Sequence, residues 1–555
     1  MKKFLAIVLA LACVLSLCAC GGKGGKGGNG DTGNNGEKDS ASAGEKVKLS
    51  IGLPTNANVL NHDDNALTKW IEEQCNVELT FVEYAGATAD IKTQISTTIG
   101  ARQELPDILY GIALGDDLVS TYGKEGYLQD LTKYYEDKEG ASKTFWDRIT
   151  NELSEADQDL VLRKITNPDT GSIYSVPHVE VSLVDPLRWQ AWINQEWLDK
   201  LNLKAPTNNE ELLTVLRAFK TKDPNGNGIA DEIPLFGSQK ADNSRPIEFL
   251  INLFCYYNVN HQYNVGKDGK LYPVFTTDEY REALKFVNQL YKEELLTSLA
   301  WTASASEMKT ITTPGNGTAM CGIFLGHLTG TVAPGNEVLY QYAPLQTWGN
   351  VVADDITINQ NMLITESCEN VDRAFELLMT LWSWEGAMRA RYGEKGVNWV
   401  EPDPGAKSYY GLDATYKLLS DPLSVQSTAK WAKHSSFQNY AEAETAQIDE
   451  NADEYAKTKA KMAAESYKLY ADRLANFNDP SLVCPTLVYT SAEEDRTSVQ
   501  RTNISDRRSK AQTEFCTGIL DPNKDADWNA YLKELEDLGL QVVVDYVQTA
   551  YDRGV

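Results

Sequence analysis

Lys48-Leu-Ser-Ile-Gly-Leu53, Val77-Glu-Leu-Thr-Phe-Val82 and Pro106-Asp-Ile-Leu-Tyr110 are the three runs that decide the fold class. The first reads as a strand. The second alternates apolar and polar residues as a half-buried strand does, and the third is a short buried strand. Two helix-like segments lie between them. Asn65 to Gln74 sets Leu67, Trp70 and Ile71 on one face, and Asp90 to Ile99 is helical. A β-α-β-α-β order implies a parallel sheet with helices on its faces, so the body is α/β.

Further along, Thr207-x-x-Glu210 reads as a capping box that starts a helix with Leu212, Leu213, Leu216 and Phe219 as its buried stripe. Directly after it comes Asp223-Pro-Asn225-Gly-Asn227-Gly228-Ile229-Ala-Asp231-Glu232. Oxygen-bearing side chains recur at every second position with a glycine at the sixth, as in the first part of an EF-hand calcium loop. Asp223, Asn225 and Asn227 are the leading side-chain ligands, and Ile229 offers its carbonyl. An EF-hand closes with a bidentate Glu at its twelfth position, where this chain has Pro234, so Asp231 and Glu232 would close the cage. The competing reading is a loop of Asx-turns, because Asp, Asn and Gly are also the commonest turn formers. The expected cofactor is one structural Ca²⁺.

The N-terminus combines Met1-Lys2-Lys3, an apolar stretch Phe4 to Leu17, and Leu17-Cys18-Ala19-Cys20-Gly21. The apolar stretch is too short to span a bilayer, as in a signal peptide. The last run resembles a bacterial lipobox, which implies cleavage of residues 1–19 and acylation of Cys20. Two or three chains anchor far more firmly than one, since each buried CH₂ contributes about 0.8 kcal/mol. Residues 20–46 contain no large apolar side chain and read as a disordered tether. The remaining ~510 residues suffice for two lobes. No later run approaches ~18 consecutive apolar residues, so the mature chain is expected to be membrane-anchored without spanning.

Without residues 1–19 the chain carries 50 basic against 79 acidic residues, a formal charge of −29. Such acidity argues against nucleic acid and against adhesion to anionic lipid headgroups. Cys75, Cys255, Cys321, Cys368, Cys484 and Cys516 are widely spaced and read as small apolar side chains rather than a disulfide framework.

The blocks that carry a family likeness are Trp197 to Thr207, Lys222 to Pro234, Tyr280 to Glu294 and Arg391 to Trp399. They continue in Phe515-Cys-Thr-Gly518, Trp528-Asn-Ala-Tyr531 and Ala550-Tyr-Asp-Arg553. In this order, after a lipobox, the chain resembles the extracellular solute-binding proteins of family 1. These are the lipoprotein receptors of carbohydrate ABC importers, and the likeness is greatest to the alginate-oligosaccharide-binding branch. Cys75-Asn76 departs from the Thr-Gly common there. The resemblance implies a two-lobed periplasmic-binding-protein-like (type II) fold with an interlobe cleft. It further implies an oligosaccharide ligand, ABC permease partners and a place on the extracytoplasmic face of the cell membrane. Lobe 1 would take residues 47–178 and 353–410, and lobe 2 residues 179–352 and 411–555, including the loop 223–232.

Open parallel sheets bind ligands beyond the carboxyl ends of their strands. Candidate contacts are therefore Thr55 and Asn56, Tyr110, and His178 and Glu180 after Tyr174-Ser-Val-Pro177. Phe324 and His327 join them, after Ala319-Met-Cys-Gly-Ile323. Sugars present flat C–H faces that suit aromatic rings. Among twelve tryptophans, Trp301, Trp348 and Trp399 flank loop-like segments and are the candidate platforms. In the helix expected over Val371 to Arg391, Trp382 belongs to the core face of Ala374, Leu377, Leu378 and Leu381, and Trp384 is open to either role.

No H-E-x-x-H, G-x-S-x-G elbow or Walker loop occurs, and no G-x-G-x-x-G follows a strand. The acid doublets Asp63-Asp64 and Asp354-Asp355 do not by themselves make a glycosidase pair, whose carboxylates lie about 5–10 Å apart. A binder is expected. The rival readings are a surface glycosidase or polysaccharide lyase, and a receptor for a peptide.

Overall fold

The computed structural model describes residues 45–181, 190–241, 244–314, 316–333, 337–345, 356–420, 426–431, 436–439, 444–452, 454–477 and 484–554. The signal and lipobox reading, Cys20 and nearly all of the tether lie outside these residues. Strands are numbered in chain order. Six form one sheet: β1 (Val47–Pro54), β2 (Val77–Tyr84), β3 (Ile108–Tyr110), β4 (Val176–Val181), β11 (Ile356–Ile364) and β14 (Phe437–Asn439). Four form a second: β5 (Ala191–Asn194), β6 (Ile233–Phe236), β9 (Cys321–Leu325) and β10 (Tyr342–Pro344). A hairpin of β7 (Tyr263–Val265) and β8 (Leu271–Pro273) and a small sheet of β12 (Trp399–Val400), β13 (Tyr416–Leu418) and β15 (Ala446–Ile448) complete the set.

The order of the first sheet is β14-β4-β11-β3-β1-β2. β1 pairs parallel with β2 from Val47↔Val77 to Pro54↔Tyr84, and with β3 at Ile51↔Ile108, as the β-α-β-α-β reading requires. β11 is antiparallel to both β3 and β4, so the sheet is mixed. Asn65 caps the helix Ala66–Cys75, its Oδ1 accepting from the Leu67 amide at 3.0 Å. Leu67 and Ile71 on that helix are buried under the sheet.

Two helix boundaries differ from the expectation. The helix after Thr207 runs Asn209–Thr221 and its N-cap is Asn208, whose side chain accepts from the Glu211 amide at 3.0 Å. Thr207 donates from its amide and hydroxyl to Glu211 instead, both at 2.8 Å, and these bonds hold the Glu211 carboxyl below its ordinary pKa. Asn is as good a cap as Thr, so the start moved one residue. The helix expected over Val371 to Arg391 is two, Val371–Trp382 and Trp384–Tyr392. Ser383 between them is extended and caps the second through the Gly386 amide at 3.0 Å. Arg148 donates to the Trp382 carbonyl at 3.0 Å and so satisfies an acceptor at the break.

Each main sheet has its own apolar core. The first gathers Ile51, Leu53, Ile71, Phe145, Trp382 and Phe437. The Trp382 ring stacks on Phe437 at 5.2 Å and its Nε1 donates to the Pro177 carbonyl at 2.7 Å, which makes it a core residue as expected. The second core gathers Ile193, Trp197, Phe219, Leu284 and the C-terminal helices Ser491–Thr517, Asp525–Asp537 and Leu540–Gly554 through Phe515, Leu535 and Val547. The chain passes from the first sheet to the second between Val181 and Ala191, and back between Pro344 and Ile356. Trp431 and Phe437 belong to the first core although they lie past residue 410, because β14 pairs in parallel with β4. Five of the six cysteines of the described chain are buried, as small apolar side chains would be. Among the described residues no helix is long and apolar enough to cross a membrane.

Candidate functional site

At the carboxyl ends of β1, β2 and β3 the chain turns sharply away from the sheet. Gly86 and Gly111 have φ of 111° and 72°, values that a side chain strongly disfavours. These turns leave a cavity of about 480 Å³ whose wall includes Thr55, Asn56, Thr88, His178, Glu180 and Asn361. Thr55 and Asn56 line it from just after β1 as expected; His178 and Glu180 also line it, but from inside β4, which runs past the Pro177 expected to end it. His178 and Glu180, two residues apart on β4, share one face of the strand. The His178 Nδ1 lies 2.8 Å from the Ser436 carbonyl, which only accepts, so Nδ1 bears the hydrogen. Its Nε2 lies 3.2 Å from Glu180 Oε2. The imidazole is buried, and the Glu180 side chain is 16% exposed toward the cavity.

Asn359 and Asn361, also on the wall, come from β11. The pairing of β11 with β4 slips between Asn359 and Met362, and such a bulge re-aims side chains. Asn361 Oδ1 is buried without a hydrogen-bond partner among the described residues. An unpartnered buried acceptor on a cavity wall calls for a donor from a ligand or water. Asn361 was not anticipated from sequence, since it lies inside β11 at the register shift rather than after a strand.

Several expected contacts lie elsewhere. Tyr110 ends β3 but points into the first core, 1% exposed, with its ring edge-on to Trp431 at 5.2 Å. Phe324 lies within β9 rather than after it, because the strand starts two residues later than the sequence suggested. Its ring is wholly buried between Trp192 and Tyr342. His327 follows β9 and is exposed. Trp301 is half-buried, its ring edge-on to Tyr291 at 5.5 Å. Trp348 lies outside the described residues. Trp399 is fully buried in the small sheet, with Nε1 donating to the Gly393 carbonyl at 3.0 Å and Trp384 packed edge-on against it at 5.5 Å. A buried ring acts through packing, so Trp399→Ala should cost about 3–5 kcal/mol in urea unfolding. Weakened ligand binding at unchanged stability would contradict this placement.

The 223–232 loop is a second candidate centre. Among the described residues, no three His, Cys, Asp or Glu side chains group as a metal site. The donors here are instead a mixture of carboxylates and amides. Asp223 accepts from the amides of Asn227 and Gly228 at 3.1 and 3.0 Å, which curls the loop around its carboxylate. The side-chain amides of Asn225 and Asn227 lie 2.9 and 3.1 Å from Asp231 Oδ1, and half a turn of each would present its oxygen instead. Glu232 Oε1 is buried and has no hydrogen-bond partner among the described residues, while backbone amides of Asn225 and Glu232 itself serve the rest of the carboxyl group. Burial raises the Glu232 pKa, and the negative charges of Asp223 and Asp231 push it the same way. Converging oxygens, mutual repulsion and an orphaned carboxylate oxygen fit a hard divalent cation. Ile229 has an exposed side chain, consistent with a role for its backbone only.

No protein-family model matches the chain. The fructooligosaccharide ABC transporter substrate-binding protein FusA of Streptococcus pneumoniae serotype 4 is 25% identical over 519 residues, covering 88% of this chain and 87% of that protein. Among solved structures, an extracellular solute-binding protein from Bifidobacterium longum subsp. infantis matches with a TM-score of 0.73 at 21% identity, over 93% of this chain and 100% of that one. The S. pneumoniae FusA EF-hand mutant in complex with fructo-nystose matches at 0.68 and 20% identity, over 91% and 99%. Alginate-binding protein AlgQ2 without calcium ion matches at 0.63 and 20% identity, over 93% and 100%. The fold is that of the two-lobed solute-binding proteins. In fold the chain matches the extracellular solute-binding proteins, and along nearly its whole length its sequence is similar to that of a fructooligosaccharide ABC transporter substrate-binding protein.

Proposed function

We propose that this chain is a lipid-anchored receptor that captures an oligosaccharide at the carboxyl ends of β1 to β4 and delivers it to an ABC permease pair. The observation that carries the reading is the polar cavity at that edge, with Thr55, Asn56, Glu180 and the unpartnered Asn361 oxygen converging on it. Hydroxyl-rich ligands need this mixture of carboxylate, amide and hydroxyl groups. No catalytic role is assigned to Glu180, since its partner there is a histidine on the same strand rather than a second carboxylate across a cleft.

The lobes follow the two sheets. We assign residues 47–181 and 356–448 to the first lobe and 191–344 and 454–554 to the second, with the ligand between them. A ligand gripped by both lobes binds the closed state better and shifts the population toward it. The 223–232 loop holds one structural Ca²⁺ through Asp223, Asn225, Asn227, Asp231, Glu232 and the Ile229 carbonyl, pinning the end of the helix Asn209–Thr221 to β6. The FusA EF-hand mutant and the calcium-free AlgQ2 support this reading.

The anchor is Cys20. Cys20→Ala should release the protein from the membrane fraction or leave it unprocessed. Unchanged maturation with detergent-dependent partitioning of the mutant would refute the anchor. The ligand class is tested by thermal shift against a glycan panel and a peptide panel in parallel. Stabilisation by di- or oligosaccharides alone is expected. Stabilisation by peptides and by no glycan would overturn the carbohydrate reading and leave the receptor reading standing.

A further inference from the structure

The helix Ser491–Thr517 turns one face, carrying Arg501, Ser505 and Arg508, into a cavity of about 400 Å³ that shares no wall residue with the site at the ends of β1 to β4. The volume lies in the range of about 300–1,000 Å³ usual for small-molecule sites. Lys164 closes the cavity from the helix Glu155–Ile165, and Tyr263 and Tyr489 supply aromatic walls. The described lining holds three permanent cations and no Asp or Glu, in a chain with 79 acidic against 52 basic residues. The cavity at the ends of β1 to β4, by contrast, includes Glu180.

The three cations are not equally committed. Lys164 pairs with Asp116 at 2.6 Å and Arg501 with Glu494, both carboxylates outside this cavity. Arg501 also lies over the Tyr489 ring at 4.5 Å. Arg508 has no carboxylate partner among the described residues. Its Nη1 donates to the Tyr257 hydroxyl at 2.8 Å, and Nη2 has only long contacts to Ser505 and Ser509, at 3.5 and 3.4 Å. Glu248 reaches it through space without a hydrogen bond. A half-buried guanidinium whose hydrogen-bond partners are all hydroxyls retains donors in a planar fork that matches a carboxylate, sulfate or phosphate. The phenols do not compete as anions: burial pushes Tyr489 up to about 12 and Tyr263 higher still.

We propose that this cavity is a second binding site, for a small ligand bearing an oxyanion that Arg508 and Arg501 grip against Tyr263 and Tyr489. The oxyanion belongs to an acidic sugar or is a free ion, and the two sources share the same chemistry at Arg508.

Calorimetric titration of the full mature chain tests this, with galacturonate, sulfate and phosphate as probes and galactose as the neutral control. Saturable binding of at least one anion and none of galactose is expected. Galacturonate alone would assign the site to an acidic sugar, and sulfate or phosphate as well would assign it to a free oxyanion. R508Q should weaken the anion at least about tenfold, R508K less, because lysine keeps the charge and loses the fork. R501Q should weaken it by a smaller factor and serves if R508Q does not fold. Neutral oligosaccharide affinity should be unchanged in R508Q, so this site and the one at the strand ends stand or fall separately. No anion binding at millimolar concentration by the unmodified chain, or equal binding by R508Q and R501Q, would overturn the proposal.

Discussion

Glu180→Ala should weaken oligosaccharide binding by about 10–100-fold, the loss of a charge-assisted hydrogen bond worth about 1.5–3 kcal/mol. The carboxylate stands at the cavity wall with one oxygen near His178 Nε2 and the cavity before it. It accepts from ligand hydroxyls, which no alanine replaces. Stability should change little, because the side chain is partly exposed and its neighbour His178 remains tied to the Ser436 carbonyl. His178→Ala should weaken binding too, but at a cost to stability, since the imidazole also links β4 to the segment leading into β14. The separation of affinity from melting temperature in the Glu180 variant is the informative readout. Wild-type affinity in that variant would move the ligand away from this cavity.

Chelation should lower the melting temperature by roughly 3–4 °C, since a ligand at 100–1,000 times its Kd adds about 2.7–4.1 kcal/mol to the folded state and a body of ~510 residues unfolds with an entropy of about 1.1 kcal/mol/K. The physical source is the loop itself. Asp223, Asp231 and Glu232 repel one another, and Glu232 leaves a buried oxygen without a donor among the described residues. A divalent cation removes both penalties. Asp223→Ala should melt low with or without chelator, because that carboxylate organises the loop through the Asn227 and Gly228 amides. Elemental analysis of the purified, never-chelated protein should find one calcium per chain. Absence of calcium, together with a melting temperature indifferent to chelator, would reduce the loop to a set of Asx-turns.

The fold was legible where local pattern and global pairing agree. The runs at 48–53, 77–82 and 106–110 became β1, β2 and β3 in the expected parallel order. The break at Ser383 was not legible, since a helix-periodic stripe continues through it and only the Ser383 cap and Arg148 decide the matter. Nor was the antiparallel insertion of β11, whose partners are more than 170 residues away in the chain. The cavity was half legible. Strand ends are readable, and gave Thr55 and Asn56; His178 and Glu180 line the wall from inside β4, which runs on past Pro177. A register shift is not readable, and Asn361 lies at one. Aromatic residues misled in a consistent way: Tyr110, Phe324 and Trp399 all fill cores, because the free energy gained by burying a large ring favours packing over exposure. Arg508 carried no signal in sequence, as its lack of a carboxylate partner is a property of the folded neighbourhood alone.

The most direct measurement is an equilibrium titration of the mature chain with a panel of di- to tetrasaccharides, followed by intrinsic tryptophan fluorescence and by product analysis of the same mixtures. The account predicts saturable one-to-one binding of at least one oligosaccharide, lost or much weakened in Glu180→Ala, with the glycan recovered intact. Turnover of the glycan to smaller products, or no binding of any glycan by a protein that binds peptides, would contradict it.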